Sequence, residues 1–424
     1  VLASVLLWPG TGVAQPGQVA RYVLANGARV LVREDSAAGV VAVSLQVRAG
    51  SRFEQTETAG ITSLLHRTML RGAGRRNATE LVEAAERIGG SLDATGDVEY
   101  AEVRGSSLAR HWETLLGLVA DVALAPTLAA DEVERERRLL LSQIRTRADN
   151  PFSFAWDALL TDLYGPHPYA RPSLGRLETV TRFRRDDLVA HHHAIYRPEQ
   201  LVLAVSGRVE REAIRRAADR LFGKLASRPA PAAPPAPAPA PTQNRHLVER
   251  PAQQAQILAG FLAPGLGEAD YAAGKVLAAL LGGGMAGRLF VELRERLGLA
   301  YAVGVLSPSR TGPAPFVAYL GTARENIGAA EAAMLRELER VRTEGVSEDE
   351  VARAKAYVSG SLAMDRRSNA RHAWYLSFFE VVGAGWDFPD RYARAVQSVT
   401  AADVRAAARH YLARPTTVVV QPRQ

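Results

Sequence analysis

Cysteine is absent from all 424 residues, which removes disulfides, thiol catalysis and Cys-ligated zinc together. No segment offers the roughly 20 continuous apolar residues of a spanning helix, so no membrane span is expected. A dense Lys/Arg run with RNA-binding aromatics is also missing. Lys and Arg total 52 against 45 Asp and Glu, and the net charge of +7 with a pI near 9.8 reads as mild colloidal charge, not as a nucleic-acid surface. What is there is globular: 47% hydrophobic and 23% charged residues allow a large core. The length is too great for one ordinary core, so two domains are expected.

The opening "VLASVLLWPGTGVAQPGQ" is apolar and reaches Gly12-Val13-Ala14 before Gln15. That pattern fits the apolar region and small-residue cleavage site of a secretory signal. Residues 1–14 are therefore expected to be the remainder of a signal peptide, and the protein to be periplasmic.

"RPAPAAPPAPAPAPTQ" (228–243) alternates Pro and Ala, favours extended polyproline II and is unfit for a core. With its flank it defines a linker at 228–245 between halves at 15–227 and 246–424. Each half runs through a similar order of elements, the mark of an internal repeat. In the first, "ARVLVRE" and "VVAVSLQVRAG" read as strands and "SLDATGDVEYAEVRGSSL" as a strand pair, with helices between and "LVLAVSGRV" closing. In the second, "AQILAGFLAP", "YAVGVLSPS", "PFVAYLGTA" and "TTVVVQP" read as strands around a comparable set of helices. Strands clustered in meanders with helices grouped between them predict an α+β fold of two duplicated domains, each a mostly antiparallel sheet packed with helices and joined at a flexible hinge.

"GITSLLHRTMLRG" (60–72) has the period of an amphipathic helix. At 100° per residue Ile61, Leu64, Leu65, Thr68 and Met69 share one side, while Ser63, His66 and Arg67 form a polar patch on the other. Two histidines four apart with an adjacent carboxylate would bind zinc and activate water on such a face. Here only His66 could ligate, because Ser63 is a poor ligand and Arg67 brings a permanent positive charge.

"AGITSLLHRTMLRGAGRRN", with "VRAGSRFEQTETAG" before it, resembles the signature helix of the pitrilysin, insulinase and mitochondrial-processing-peptidase family of inverted zincins, whose motif is His-x-x-Glu-His. The likeness continues to the C-terminus. Residue on residue, the motif's first His falls on Ser63, its Glu base on His66 and its second His on Arg67. The third zinc ligand, a Glu in a stretch resembling "ERERRLLLSQI", falls on Gln143. Glu136 stands one heptad earlier, where the family keeps a supporting carboxylate. No metal is therefore expected on this chain, and His66 is expected to be a polar-face leftover hydrogen-bonded to Gln143 or Glu136.

The other histidines carry no such expectation. "HHH" (191–193) lies in a helical segment where successive side chains diverge by 100°, so it reads as solvated surface, with adventitious nickel or zinc conceivable. His167, in "YGPHPYARP", looks structural.

"GGGMAGRLFVELRERLGLAYAVGV" (282–305) reads as a glycine loop, a helix ended by Gly298, and a strand. It lacks the Lys-Ser/Thr of a P-loop and the glycine spacing of a dinucleotide fingerprint. From the residues alone Arg294 is one more solvated charge and Tyr301 a core strand residue. By resemblance they match the family's Arg/Tyr pair, which orients the substrate backbone and stabilises the oxyanion of the tetrahedral intermediate.

One subclass of the family is heterodimeric: one subunit keeps the zinc motif, and its partner loses it and supplies the Arg/Tyr pair in trans. The resemblance implies the second role, with zinc, the Glu base and the activated water in a homologous partner and peptides or unfolded segments as substrate. A non-enzymatic scaffold or peptide-binding protein of the same fold is the alternative.

Overall fold

The computed structural model describes residues 17–227 and 244–423. The signal-like residues 1–14 and the Pro/Ala segment 228–243 lie outside them.

The first half opens with β1 (Val19–Val23), β2 (Arg29–Glu34) and β3 (Val40–Val47), then helix α1 (Ile61–Met69), a small ribbon of β4 (Gly72–Ala73) and β5 (Arg76–Asn77), and α2 (Ala78–Arg87). The hairpin β6 (Ser91–Gly96) and β7 (Ala101–Leu108) follows, then α3 (Trp112–Leu124), α4 (Ala130–Asp149), α5 (Pro151–Tyr164), a helix at Arg185–Ile195 and β8 (Leu201–Gly207). The second half contributes β9 (Arg245–Arg250), β10 (Ala255–Ala263), β11 (Ala302–Leu306), β12 (Ala314–Thr322) and β13 (Thr416–Pro422). Strand β9 thus begins on the last residue assigned to the linker.

The strand orders are β1-β2-β8-β3-β7-β6 and β11-β12-β10-β13-β9. Read from the hairpin edge they coincide, with β1 an addition to the first. In each sheet the closing strand pairs parallel with an early one, β8 with β2 and β13 with β9, while every other pairing is antiparallel. The duplication and the mostly antiparallel sheets are as the sequence pattern predicts. Strand β8 is buried along its whole length, consistent with its unbroken apolar run "LVLAV".

The joint between the halves is more than a hinge, because each half lends the other a helix. Helix Asn369–Val381 of the second half covers one face of the first sheet, where Ala373, Leu376 and Val381 pack on Leu31, Ala42, Val202 and Ala204. In return α5 lays Ala155 and Leu159 on Leu258, Val317, Val418 and Val420 of the second sheet. Polar contacts reinforce the exchange. The buried Ser44 hydroxyl meets that of Ser377 at 2.7 Å, and the Glu99 carboxylate accepts from Arg52, the Tyr169 hydroxyl and, at 3.0 Å, the Thr311 amide. Among the described residues no helix is long and apolar enough to cross a membrane.

Candidate functional site

Helix α1 is started by two local devices. Gly60 sits at φ 94°, a left-handed conformation, with its Cα facing the backbone of Gly175, so a side chain there would be strained and would collide. The Glu54 carboxylate then accepts the amides of Gly60 at 2.7 Å and Thr62 at 3.0 Å, placing negative charge on the positive end of the helix. Burial nonetheless pushes the Glu54 carboxyl up from its ordinary range.

Of the three residues of the predicted polar patch on α1, only Arg67 bonds to α4. Its guanidinium donates to Gln143 Oε1 at 2.8 Å and to Glu136 Oε2 at 3.3 Å. Arg71, one turn on, donates to Glu136 Oε1 at 2.6 Å. Glu136 is only 2% exposed, and two cations share its charge. Positions 136 and 143 lie one heptad apart on α4 and so face α1 together.

His66 departs from expectation. It is fully buried and touches neither Gln143 nor Glu136. Its Nδ1 lies 2.8 Å from the Thr62 carbonyl, which can only accept, so Nδ1 carries the proton and Nε2 accepts the Tyr196 hydroxyl at 2.8 Å. The physical reason is i,i+4 geometry: the Thr62 carbonyl and Tyr196 satisfy both ring nitrogens inside the core, whereas turning toward α4 would bring the ring to the Arg67 guanidinium. Ser63 is likewise buried.

The "HHH" run is also not solvated surface. His191 Nε2 meets the Thr62 hydroxyl at 2.9 Å, and the buried His192 donates from Nε2 to the Ala123 carbonyl at 2.8 Å while stacking on Tyr196. Only His193 is exposed. Burial pulls His66 down to about 3 and His191 down to about 4, so both are neutral near pH 7. His167 is structural as read: its Nδ1 accepts the Tyr169 amide at 3.1 Å.

A zinc ion does not fit this donor set. The three positions that the resemblance assigns to ligands hold a hydroxyl, a guanidinium and an amide, and the guanidinium has only donors and a fixed charge. Among the described residues no three His, Cys, Asp or Glu side chains are grouped as a metal site.

The second candidate lies in the other half. After helix Tyr271–Gly282 a short turn at Gly284–Ala286 leads into Phe290–Arg296, wound as a π-helix, and Gly298 at φ 62° ends it. Arg288 anchors this segment through two bonds to Glu350, at 2.6 and 2.9 Å, and holds the Glu350 carboxyl down to about 2. Arg294 stacks on the Phe290 ring at 5.0 Å and donates to the Tyr301 backbone carbonyl at 3.1 Å. Tyr301 is 61% exposed, so the core-strand reading does not hold. A guanidinium with further donors, tied to the Tyr301 backbone, and the exposed Tyr301 phenol thus both stand at the start of edge strand β11.

Comparison with known proteins bears directly on this pair of sites. A family model described as insulinase (peptidase family M16) matches residues 29–176, and one described as the peptidase M16 inactive domain matches residues 182–358. An uncharacterized zinc protease of Mycobacterium tuberculosis is 31% identical over 401 residues, covering 93% of this chain and 91% of that protein. The chain belongs to peptidase family M16. Another M16 relative, the uncharacterized zinc protease YmxG of Bacillus subtilis, is 27% identical across 82% of this chain and 85% of its own. A crystal structure of a peptidase M16 inactive domain from Pseudomonas fluorescens superposes with a TM-score of 0.89 at 25% identity, covering 96% of this chain and 98% of that one. A protease from Helicobacter pylori shares the fold with a TM-score of 0.89 at 20% identity, over 96% of this chain and 100% of that one. Within the M16 frame, the residues at the zinc positions make this a catalytically incomplete member.

Proposed function

We propose that this M16 protein is the non-catalytic subunit of a heterodimeric zinc endopeptidase, exported to the periplasm, and that it supplies Arg294 and Tyr301 to a site completed by a homologous partner. One observation carries the reading: the zinc positions are closed by the Arg67–Glu136–Gln143 cluster, while Arg294 and Tyr301 are exposed and held together. The partner would hold the zinc set and the carboxylate base. From this chain, the guanidinium and phenol would orient the peptide backbone and stabilise negative charge on the carbonyl oxygen as it develops.

The interlocked halves support a two-chain site. Because each half covers the other's sheet, closure over a peptide belongs between subunits, not within this one. Substrate would add as an extended strand to an exposed sheet edge such as β11, whose first residue follows Tyr301, since backbone pairing tolerates varied sequences.

The test is reconstitution with a partner bearing His-x-x-Glu-His. Arg294→Ala should lower turnover of an unfolded peptide by about 100-fold, as loss of an oxyanion donor does. Unchanged turnover would favour the scaffold reading, and peptidase activity from this chain alone would overturn both.

A further inference from the structure

Lys275 stands apart from both sites. It lies on the inner face of helix Tyr271–Gly282 and points into a cleft of about 480 Å³ between that helix, the end of β11 and helices Glu348–Asp365 and Asn369–Val381. The volume falls within the range of small-ligand pockets, about 300–1,000 Å³. The ammonium donates to the Ser307 carbonyl and sits 5.1 Å from the centre of the Tyr271 ring. No carboxylate pairs with it among the described residues. Asp365, the one acidic residue lining the cleft, is already engaged by Arg371 and by the Tyr375 hydroxyl at 2.6 Å. The remaining wall is strongly aromatic, with Tyr357, Phe379, Phe388 and Tyr392 beside Tyr271 and Tyr375. A cation without a counter-ion in an aromatic cleft is costly unless something brings the missing charge.

We propose that this cleft binds the terminal carboxylate of a peptide, with Lys275 taking the carboxylate and the aromatic wall taking the last side chain. The chemistry required is an anion carried on an apolar body, which the C-terminal residue of a peptide supplies within one unit. That the body is a peptide rests on the function proposed above and on position, since Val305 of β11 and Ser307 just beyond it line the cleft while Tyr301 precedes the same strand. An edge-bound product would then be held by its new or original C-terminus.

The amine is set for this exchange. Burial, with Arg310 adding to it, pulls Lys275 down to about 7, and an arriving carboxylate would raise it again, so binding takes up a proton. The charged groups facing the amine are Arg310 and the Asp365–Arg371 pair, and burial keeps the phenols of Tyr271, Tyr375 and Tyr392 above their ordinary range. Acid binding should therefore weaken as pH rises from 6 to 9.

Calorimetry on the isolated chain decides the matter with N-acetyl-Ala-Ala-Phe as probe, compared with its C-terminal amide and with 3-phenylpropanoate. The free acid should bind at least tenfold tighter than the amide at pH 6, the preference should disappear at pH 9, and Lys275→Met should abolish it. Equal binding of acid and amide overturns the carboxylate site, and 3-phenylpropanoate binding as tightly as the peptide overturns the peptide assignment. Should Lys275→Met fail to fold, the acid-amide comparison on the unaltered chain across pH stands without it. The measurement involves neither Arg294 nor a partner, so its failure leaves the heterodimer reading intact, and failure of the Arg294 test leaves the carboxylate site to be decided by the acid-amide comparison.

Discussion

Arg67 donates to Gln143 at 2.8 Å across 76 residues of chain, joining two positions onto which the motif resemblance lays metal ligands. A hydrogen bond from a fixed cation to an amide now ties α1 to α4, and the buried Glu136 beneath supplies the counter-charge. The cluster is thus a polar joint between the two helices.

Removing its anion should cost more than removing one cation. Glu136→Gln leaves Arg67 and Arg71 facing each other without a carboxylate, and a loss of about 2–3 kcal/mol is expected, below the full cost of breaking a buried pair because both guanidinium groups are partly solvated. Arg67→Met leaves Glu136 with Arg71, and about 1 kcal/mol should suffice. Urea denaturation of the two variants checks the order, and the reverse order would mean that Glu136 carries little of the joint.

Metal binding should be recoverable separately from chemistry. Ser63→His, Arg67→His and Gln143→Glu together restore the family's three ligand types at their positions, and the triple variant should retain about one zinc per chain by atomic emission after dialysis. It should remain without peptidase activity, because position 66 still carries a histidine whose two nitrogens are bound to Thr62 and Tyr196. The unaltered chain should hold far less than one zinc.

The buried histidines make stability fall with acid. His66 and His191 have folded values of about 3 and about 4, below the unfolded value near 6.5. The unfolded chain therefore binds protons first as pH drops. Their contribution is complete above about 6.5 and is lost as pH falls through the window from 6.5 to about 4 for His191 and to about 3 for His66, at about 1.4 kcal/mol per pH unit for each group. His66→Asn keeps a donor for the Thr62 carbonyl but no titrating ring, so it should flatten the unfolding free energy against pH across that window. An unchanged slope would place the acid sensitivity elsewhere.

The repeat and the strands were legible because each has a local signature, alternation or a Pro/Ala break, whereas the partner of Gln143 was expected to be His66 and is Arg67. What was not legible depends on long-range partners. His66 looked solvent-facing on a helical wheel because Tyr196, 130 residues away, is invisible to periodicity. The same holds for α5 and helix Asn369–Val381, whose sequences "PFSFAWDALLTDLY" and "NARHAWYLSFFEV" show no clean polar face. A helix apolar on several sides signals burial between two surfaces, and that was the available clue to the exchange between halves.

That exchange predicts that neither half is a stable domain alone. Expressed as residues 17–227, the first half would leave Leu31, Ala42, Val202 and Ala204 of its sheet bare, where Ala373, Leu376 and Val381 now cover them. At about 1.5–3 kcal/mol for each large apolar side chain returned to water, Leu31 and Val202 alone lose about 3–6 kcal/mol, which reaches the lower end of a typical domain's stability of about 5–15 kcal/mol. The isolated half should elute as aggregates and melt without cooperativity, and adding residues 244–424 during refolding should restore a single species. A monomeric first half with a sharp thermal transition would show that the borrowed helix contributes little, and would reopen motion between the halves as a way for this chain to close on a peptide.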